Sequence, residues 1–216
     1  MNAHIIIKKV NKQLQIINTF ANPKISITKW EDSVLGKLHI HKKQVKFRRG
    51  TWISWKNPPS GENKLNVDGG YKNGVGYVGG ILRCEDGTPI LAFWRKVQVE
   101  DAEEAEIEAI NRGIDNCNAI GISNFTIETD SSAWLRAFNG KVNSSRKIYK
   151  TRKYSQFATK ITQIYREGNQ AADLLAKMAR SSPDAVVLNY SNLPNKVKLR
   201  IYHDRIGMPT YRKKWT

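Results

Sequence analysis

The sequence predicts an α/β domain: a five-stranded mixed sheet with helices on its faces. Three observations carry that prediction. Between residues 64 and 97, short apolar segments follow one another closely, separated by glycines and a turn signal. A long helical repeat occupies 101–121. Two later strand-like segments are each reached through helical segments, an order that suits a mixed sheet with covered faces.

Residues 64–71, Lys-Leu-Asn-Val-Asp-Gly-Gly-Tyr, read as the first strand. Residues 76–84 read as a second, rich in glycine and closely packed. Glu85-Asp86-Gly87-Thr88 is a hairpin turn, and residues 89–97 return as a third strand, completing an antiparallel meander. Asp101 then caps a helix whose first turns carry acids, as the helix dipole favours. Ala105, Ala109, Ile110, Gly113, Ile114 and Cys117 recur at helical spacing, and Gly121 closes the helix. Most acids of the Glu103–Glu108 run read as a solvated face. Residues 124–129 form a fourth strand ending at Asp130, and Ser131-Ser132 cap a short helix, Ala133 to Phe138. Residues 141–153 hold six cations and no acid, and read as a loop or short helix with a basic face. Ile161–Tyr165 is the fifth strand. Gly168-Asn169-Gln170 opens a last helix through Ala179, with Asp173 in its first turns, and Pro183 ends that region. Trp52 and Trp55, ahead of the first strand, read as docked on the core.

Charge divides the chain further. The net charge is +17 over 216 residues, but residues 1–60 hold 12 Lys+Arg against two acids, and residues 194–216 hold seven against one. The middle is nearly neutral. We therefore expect a basic N-terminal extension (1–51), a central domain (52–182) and a basic C-terminal tail (183–216) packing on or trailing it. Basic flanks on a neutral body suit a polyanion such as nucleic acid. No apolar run approaches the roughly 18 residues of a membrane span. Ile5-Ile6-Ile7 is followed at once by Lys8-Lys9, which is no secretory signal. Two isolated cysteines, Cys84 and Cys117, suit neither a disulfide framework nor a zinc site. They point to an intracellular setting, nuclear or cytoplasmic. The first thirty residues lack acids, which leaves organellar import open.

Four carboxylates sit where strand ends and helix faces can converge: Asp68, Glu106, Asp130 and Asp173. Singly, each has a plain structural reading as a turn, a helix face or a cap. Together, without Cys or His, they suit hard, oxygen-seeking ions such as Mg²⁺ or Mn²⁺. Two such ions can activate a water and stabilise a leaving oxygen in phosphodiester cleavage.

Asn66-Val67-Asp68-Gly69-Gly70, Ala105-Glu106-Ile107-Glu108-Ala109, Ile127-Glu128-Thr129-Asp130-Ser131 and Arg166 through Ala176 resemble the four motifs of type 1 ribonuclease H. Plant LINE-type retroelement domains and their stand-alone relatives are the most similar. The lead-in Ile53–Pro59 and the ending Leu193-Pro194 through Gly207 are similar to that family's as well, so the resemblance spans about residues 52–207. It implies an RNase H-like fold and hydrolysis of RNA within RNA–DNA hybrids. It also implies two Mg²⁺ or Mn²⁺ ions on Asp68, Glu106, Asp130 and Asp173. Gly69, Gly70, Asn73 and Ser132 would contact nucleic acid. Arg146, Lys147, Lys150, Arg152 and Lys153 would hold it by charge. The histidine that many type 1 enzymes carry before the last carboxylate is missing. That loop is only Arg166-Glu167, where Glu167 could stand in. Two readings therefore stay open: a hybrid-cleaving enzyme acting as a monomer, or a non-catalytic module that binds nucleic acid or a ribonucleoprotein.

Overall fold

The computed structural model describes residues 50–213 and four residues between 33 and 37. Most of the basic extension 1–51, with residues 214–216, lies outside the described residues. Residues Thr51–Arg212 form one compact unit.

Its six-stranded sheet is built from β2 (Asn63–Lys72), β3 (Val75–Arg83), β4 (Pro89–Val97), β5 (Phe125–Thr129), β6 (Ile161–Gln163) and β7 (Ala185–Val187), in the order β6-β5-β2-β3-β4-β7. The expected meander is present: β2 pairs antiparallel with β3, and β3 with β4. β5 lies parallel to β2, and β6 parallel to β5. The sheet has six strands where the sequence predicted five. The addition, β7, is three residues long and pairs antiparallel with β4 at the edge. A separate two-stranded ribbon joins β1 (Gly50–Ile53) to β8 (Thr210–Lys213).

Alternation along β2 divides the molecule into two layers. Leu65 and Val67 face α1 (Ala102–Ala119), whose Ile107, Ile110 and Ile114 pack there with Phe125 and Trp134. Against α1 lie α2 (Ala133–Phe138) and α3 (Ser145–Arg152). Ile81, Ala92 and Trp94 face the other layer, α4 (Gln170–Met178) and α5 (Asn195–Arg205), through Leu175, Val197 and Ile201. The capping of α1 follows its sequence: the Asp101 side chain accepts from the Glu104 N–H at 2.8 Å. The segment after Pro183 supplies β7 and α5 to this same unit.

Two glycines let the helices approach closely enough to present acids. A Cβ on Gly69 would lie 2.5 Å from the Ala105 carbonyl and the Glu106 nitrogen, so α1 sits directly on β2 there. A Cβ on Gly79 would lie 2.2 Å from the Ala176 nitrogen, so α4 sits equally close to β3. Gly79 is the register partner of Asp68.

One tryptophan expectation holds and the other does not. Trp55 is 3% exposed, with the Arg83 guanidinium 3.4 Å from its ring centre. Trp52, carried on the separate ribbon, is 66% exposed beside the Tyr211 ring.

Candidate active site

The β2–β5 pairing ends at Asn66 and Glu128. Asp68 and Asp130 each follow two residues later, on the same side of their strands, where the strands part. Glu106 reaches this gap from α1, and Asp173 from the first turns of α4. The four carboxylates therefore meet at one strand end, contributed by two strands and both helical layers.

Their electrostatics follow from that crowding. Burial, then Glu106, Asp130 and Asp173 in turn, push the Asp68 carboxyl up to about 9. Burial and Asp130 push Glu106 up to about 8, although the Gly69 N–H donates to it at 3.2 Å. Asp130 accepts a bond of 3.0 Å from the Asn169 side chain, which also donates to the Val67 carbonyl at 2.8 Å. Asp173 is bound on both oxygens, by Arg166 at 3.0 Å and Lys177 at 2.5 Å.

The donor set is all carboxylate oxygen, which fits a hard divalent ion and excludes a soft one. Among the described residues no group of three is yet arranged to hold an ion as it stands. Glu106 accepts from the Gly69 N–H, and Asp173 from two cations. Burial and neighbouring acids make both Asp68 and Glu106 costly to ionise, a cost that a bound cation would offset.

A buried polar network supports the site from behind. Asn66 donates to Glu128 at 2.9 Å and to Asn169 at 3.3 Å. Glu128 also accepts from the Trp55 indole at 3.1 Å and pairs with Lys64 at 2.9 Å. Arg83 donates to Asn66 at 2.6 Å and to Asp204 of α5 at 2.7 Å. Sequence reasoning assigned none of Asn66, Glu128, Asn169 or Arg83 a role. Only their nearness in sequence to Asp68, Asp130 and Asp173 could have marked Asn66, Glu128 and Asn169, and Arg83 had no such neighbour.

The remaining expected site residues fall in different places. A Cβ on Gly69 would meet the α1 backbone, whereas a Cβ on Gly70 would meet only the Arg180 side chain at 3.8 Å. Asn73 and Gly74 both have positive φ (52° and 80°) and form the tight turn between β2 and β3. Five residues of strand put Asn73 roughly 17 Å from Asp68. Ser132 precedes α2 beside Asp130, and its side chain makes no capping bond.

The basic stretch is paired in part with α1. Arg146 pairs with Glu104 at 2.7 Å, Lys147 with Asp101 and Glu103 at 2.7 and 2.6 Å, and Lys150 with Glu104 at 2.7 Å. The acids at the start of α1 are thus not a solvated face: Glu104 is fully buried and Glu108 nearly so. Arg146, Lys147 and Lys150 tie α3 to α1 through these pairs, with the Arg146 side chain still half exposed. Arg152 and Lys153 stay exposed. Glu167 accepts from Arg212 at 2.9 Å.

A family model described as "Reverse transcriptase-like" matches residues 66–179, more than half of the chain. The chain belongs to this reverse transcriptase-like family. Its fold is RNase H-like. The matched stretch runs from Asn66 to Ala179 and so contains all four carboxylates. Solved structures it is similar to include the RNase H1 of Halobacterium salinarum, at 20% identity over 56% of this chain and 98% of that one, with a TM-score of 0.49. LC11-RNase H1 in complex with an RNA/DNA hybrid gives 20% identity over 55% and 96%, with a TM-score of 0.48. The protease-reverse transcriptase of prototype foamy virus gives 19% over 67% and 24%, with a TM-score of 0.46. No curated protein matches.

Proposed function

We propose that the chain is a metal-dependent endonuclease that hydrolyses RNA within RNA–DNA hybrids. The observation that carries this reading is the convergence of Asp68, Glu106, Asp130 and Asp173 where β2 and β5 part. Two Mg²⁺ or Mn²⁺ ions on these carboxylates would supply an activated water and stabilise the leaving 3′-oxygen. The protein's own groups prepare that site. Asn169 fixes Asp130 through its side-chain amide. Asp68 sheds the proton that burial holds on its carboxyl. Arg166 and Lys177 neutralise Asp173 until it is needed, and then remain beside the site as partners for a phosphate. The hybrid is recognised by shape and 2′-hydroxyl contact through Gly70, Asn73 and Ser132, with the exposed Arg152 and Lys153 drawing its backbone by charge.

The test uses a labelled RNA–DNA hybrid in Mg²⁺ or Mn²⁺. Wild type should cleave it to 3′-hydroxyl and 5′-phosphate ends. Asp68→Asn and Asp130→Asn should each lose more than the ~10–100-fold that removal of an outer-sphere partner costs a metal site. Cleavage that persists in both variants would reject the site.

A non-catalytic binding module is the second reading, and the double pairing of Asp173 favours it. Its signature is salt-sensitive hybrid binding by a wild type that does not cleave.

A further inference from the structure

A cleft of about 1090 Å³ opens beside the carboxylates, with Trp52, Lys56, Asp130, Tyr165, Arg166 and Arg212 among its walls. It exceeds the ~300–1,000 Å³ typical of sites for drug-sized ligands. Asp130 and Arg166 connect it to the site already described, whereas Asp68 and Glu106 take no part in it. Its outer wall is the β1–β8 ribbon, which lies beyond the family-matched residues 66–179.

The wall chemistry is specific. Trp52 is 66% exposed and Tyr165 51%. The Arg212 guanidinium lies 4.4 Å from the Tyr165 ring centre, and Tyr211 props the Trp52 ring at 5.1 Å. Lys56 is exposed and pairs with no acid among the described residues. Glu128, the other acid on the wall, is neutralised by Lys64 and the Trp55 indole. Arg212 is shared with Glu167 and Arg166 with Asp173, so large rings left in water beside these cations and the unpaired Lys56 form a stacking platform with charge for phosphate. Paired bases stack on one another and hide their faces, so only an unpaired strand can use such rings.

We propose that this cleft binds a single-stranded nucleic-acid extension running out of the duplex held at the carboxylates. The position of the duplex rests on the hydrolase reading; the stacking groove itself does not. Binding here is independent of sequence, because every base has a face to stack.

Fluorescence anisotropy in EDTA, where cleavage is blocked, tests it. The probes are a blunt RNA–DNA hybrid, the same hybrid with an unpaired DNA or RNA extension, and the isolated single strands. Wild type should bind an extended hybrid about tenfold more tightly than the blunt one, the scale of one base–aromatic stack. Trp52→Ala and Tyr165→Ala should each remove most of that advantage and leave blunt-hybrid affinity unchanged. The DNA and RNA arms identify the strand that enters. Should Trp52→Ala disturb folding, Tyr165→Ala and Lys56→Glu decide alone. Equal binding of blunt and extended hybrids by wild type, or an advantage that survives these substitutions, overturns the proposal. Single-strand binding that depends on Tyr165 in a protein that cleaves nothing would sustain the cleft and reject only the hydrolase.

Discussion

Asp68 is held up to about 9 in the folded chain, against 3.8 for a free carboxyl. Without cations, the folded state therefore keeps a proton that the unfolded state releases near pH 4. Folding binds protons throughout that interval, so stability falls as pH rises from about 4 to about 9. In EDTA the melting temperature should decline across this range, and Asp68→Asn should melt above wild type at pH 8. Added Mg²⁺ should raise the melting temperature more at pH 9 than at pH 6. A flat profile would show that the carboxyl is not isolated as described. The pair formed by Arg83 and Asp204 behaves differently. Both are buried, and Asp204 retains Arg200 at 3.0 Å when Arg83 is removed. Removing Asp204 instead strands a buried guanidinium, so Asp204→Ala should cost about 3–5 kcal/mol in denaturant unfolding, clearly more than Arg83→Met. The sequence could show the acids, because each lies in a recognisable motif: Asp68 and Asp130 at strand ends, Glu106 and Asp173 on helices. It could not show Asn66 meeting Asn169, since bonds across 103 residues leave no local pattern.

The elements of the meander, α1, β5, α2 and α4 were legible from periodicity and caps. β7 is too short to carry a pattern. α5 hid for another reason: Val197 and Ile201 face the core, but Leu199 and Tyr202 face water, so its apolar residues mark no single face. The exposed face of α1 was misread because a row of glutamates looks solvated until the matching cations of α3 are placed against it. Close packing at the two glycines makes a sharp contrast. Gly79→Ala should cost at least about 1–3 kcal/mol and displace α4 with Asp173. Gly70→Ala should stay within about 0.5 kcal/mol. Unfolding midpoints measure both, and similar losses would contradict the described approach of α4 to β3.

Across the whole molecule, the residues beyond 182 complete the sheet edge and cover one sheet face, with Val197 and Ile201 wholly buried. A chain ending at Ser182 should therefore fail to show a cooperative unfolding transition. A sharp transition in that truncated chain would demote α5 to an accessory. The Arg83–Asp204 pair also has a consequence in time. Its members are separated by 121 residues. At the ~5–20 residues per second of protein synthesis, roughly 6–24 s pass before the counter-charge exists. Through that interval the nascent meander carries a cation that it cannot bury. The central strands therefore wait, half-made, for the turn of α5 that carries Asp204 to leave the ribosome.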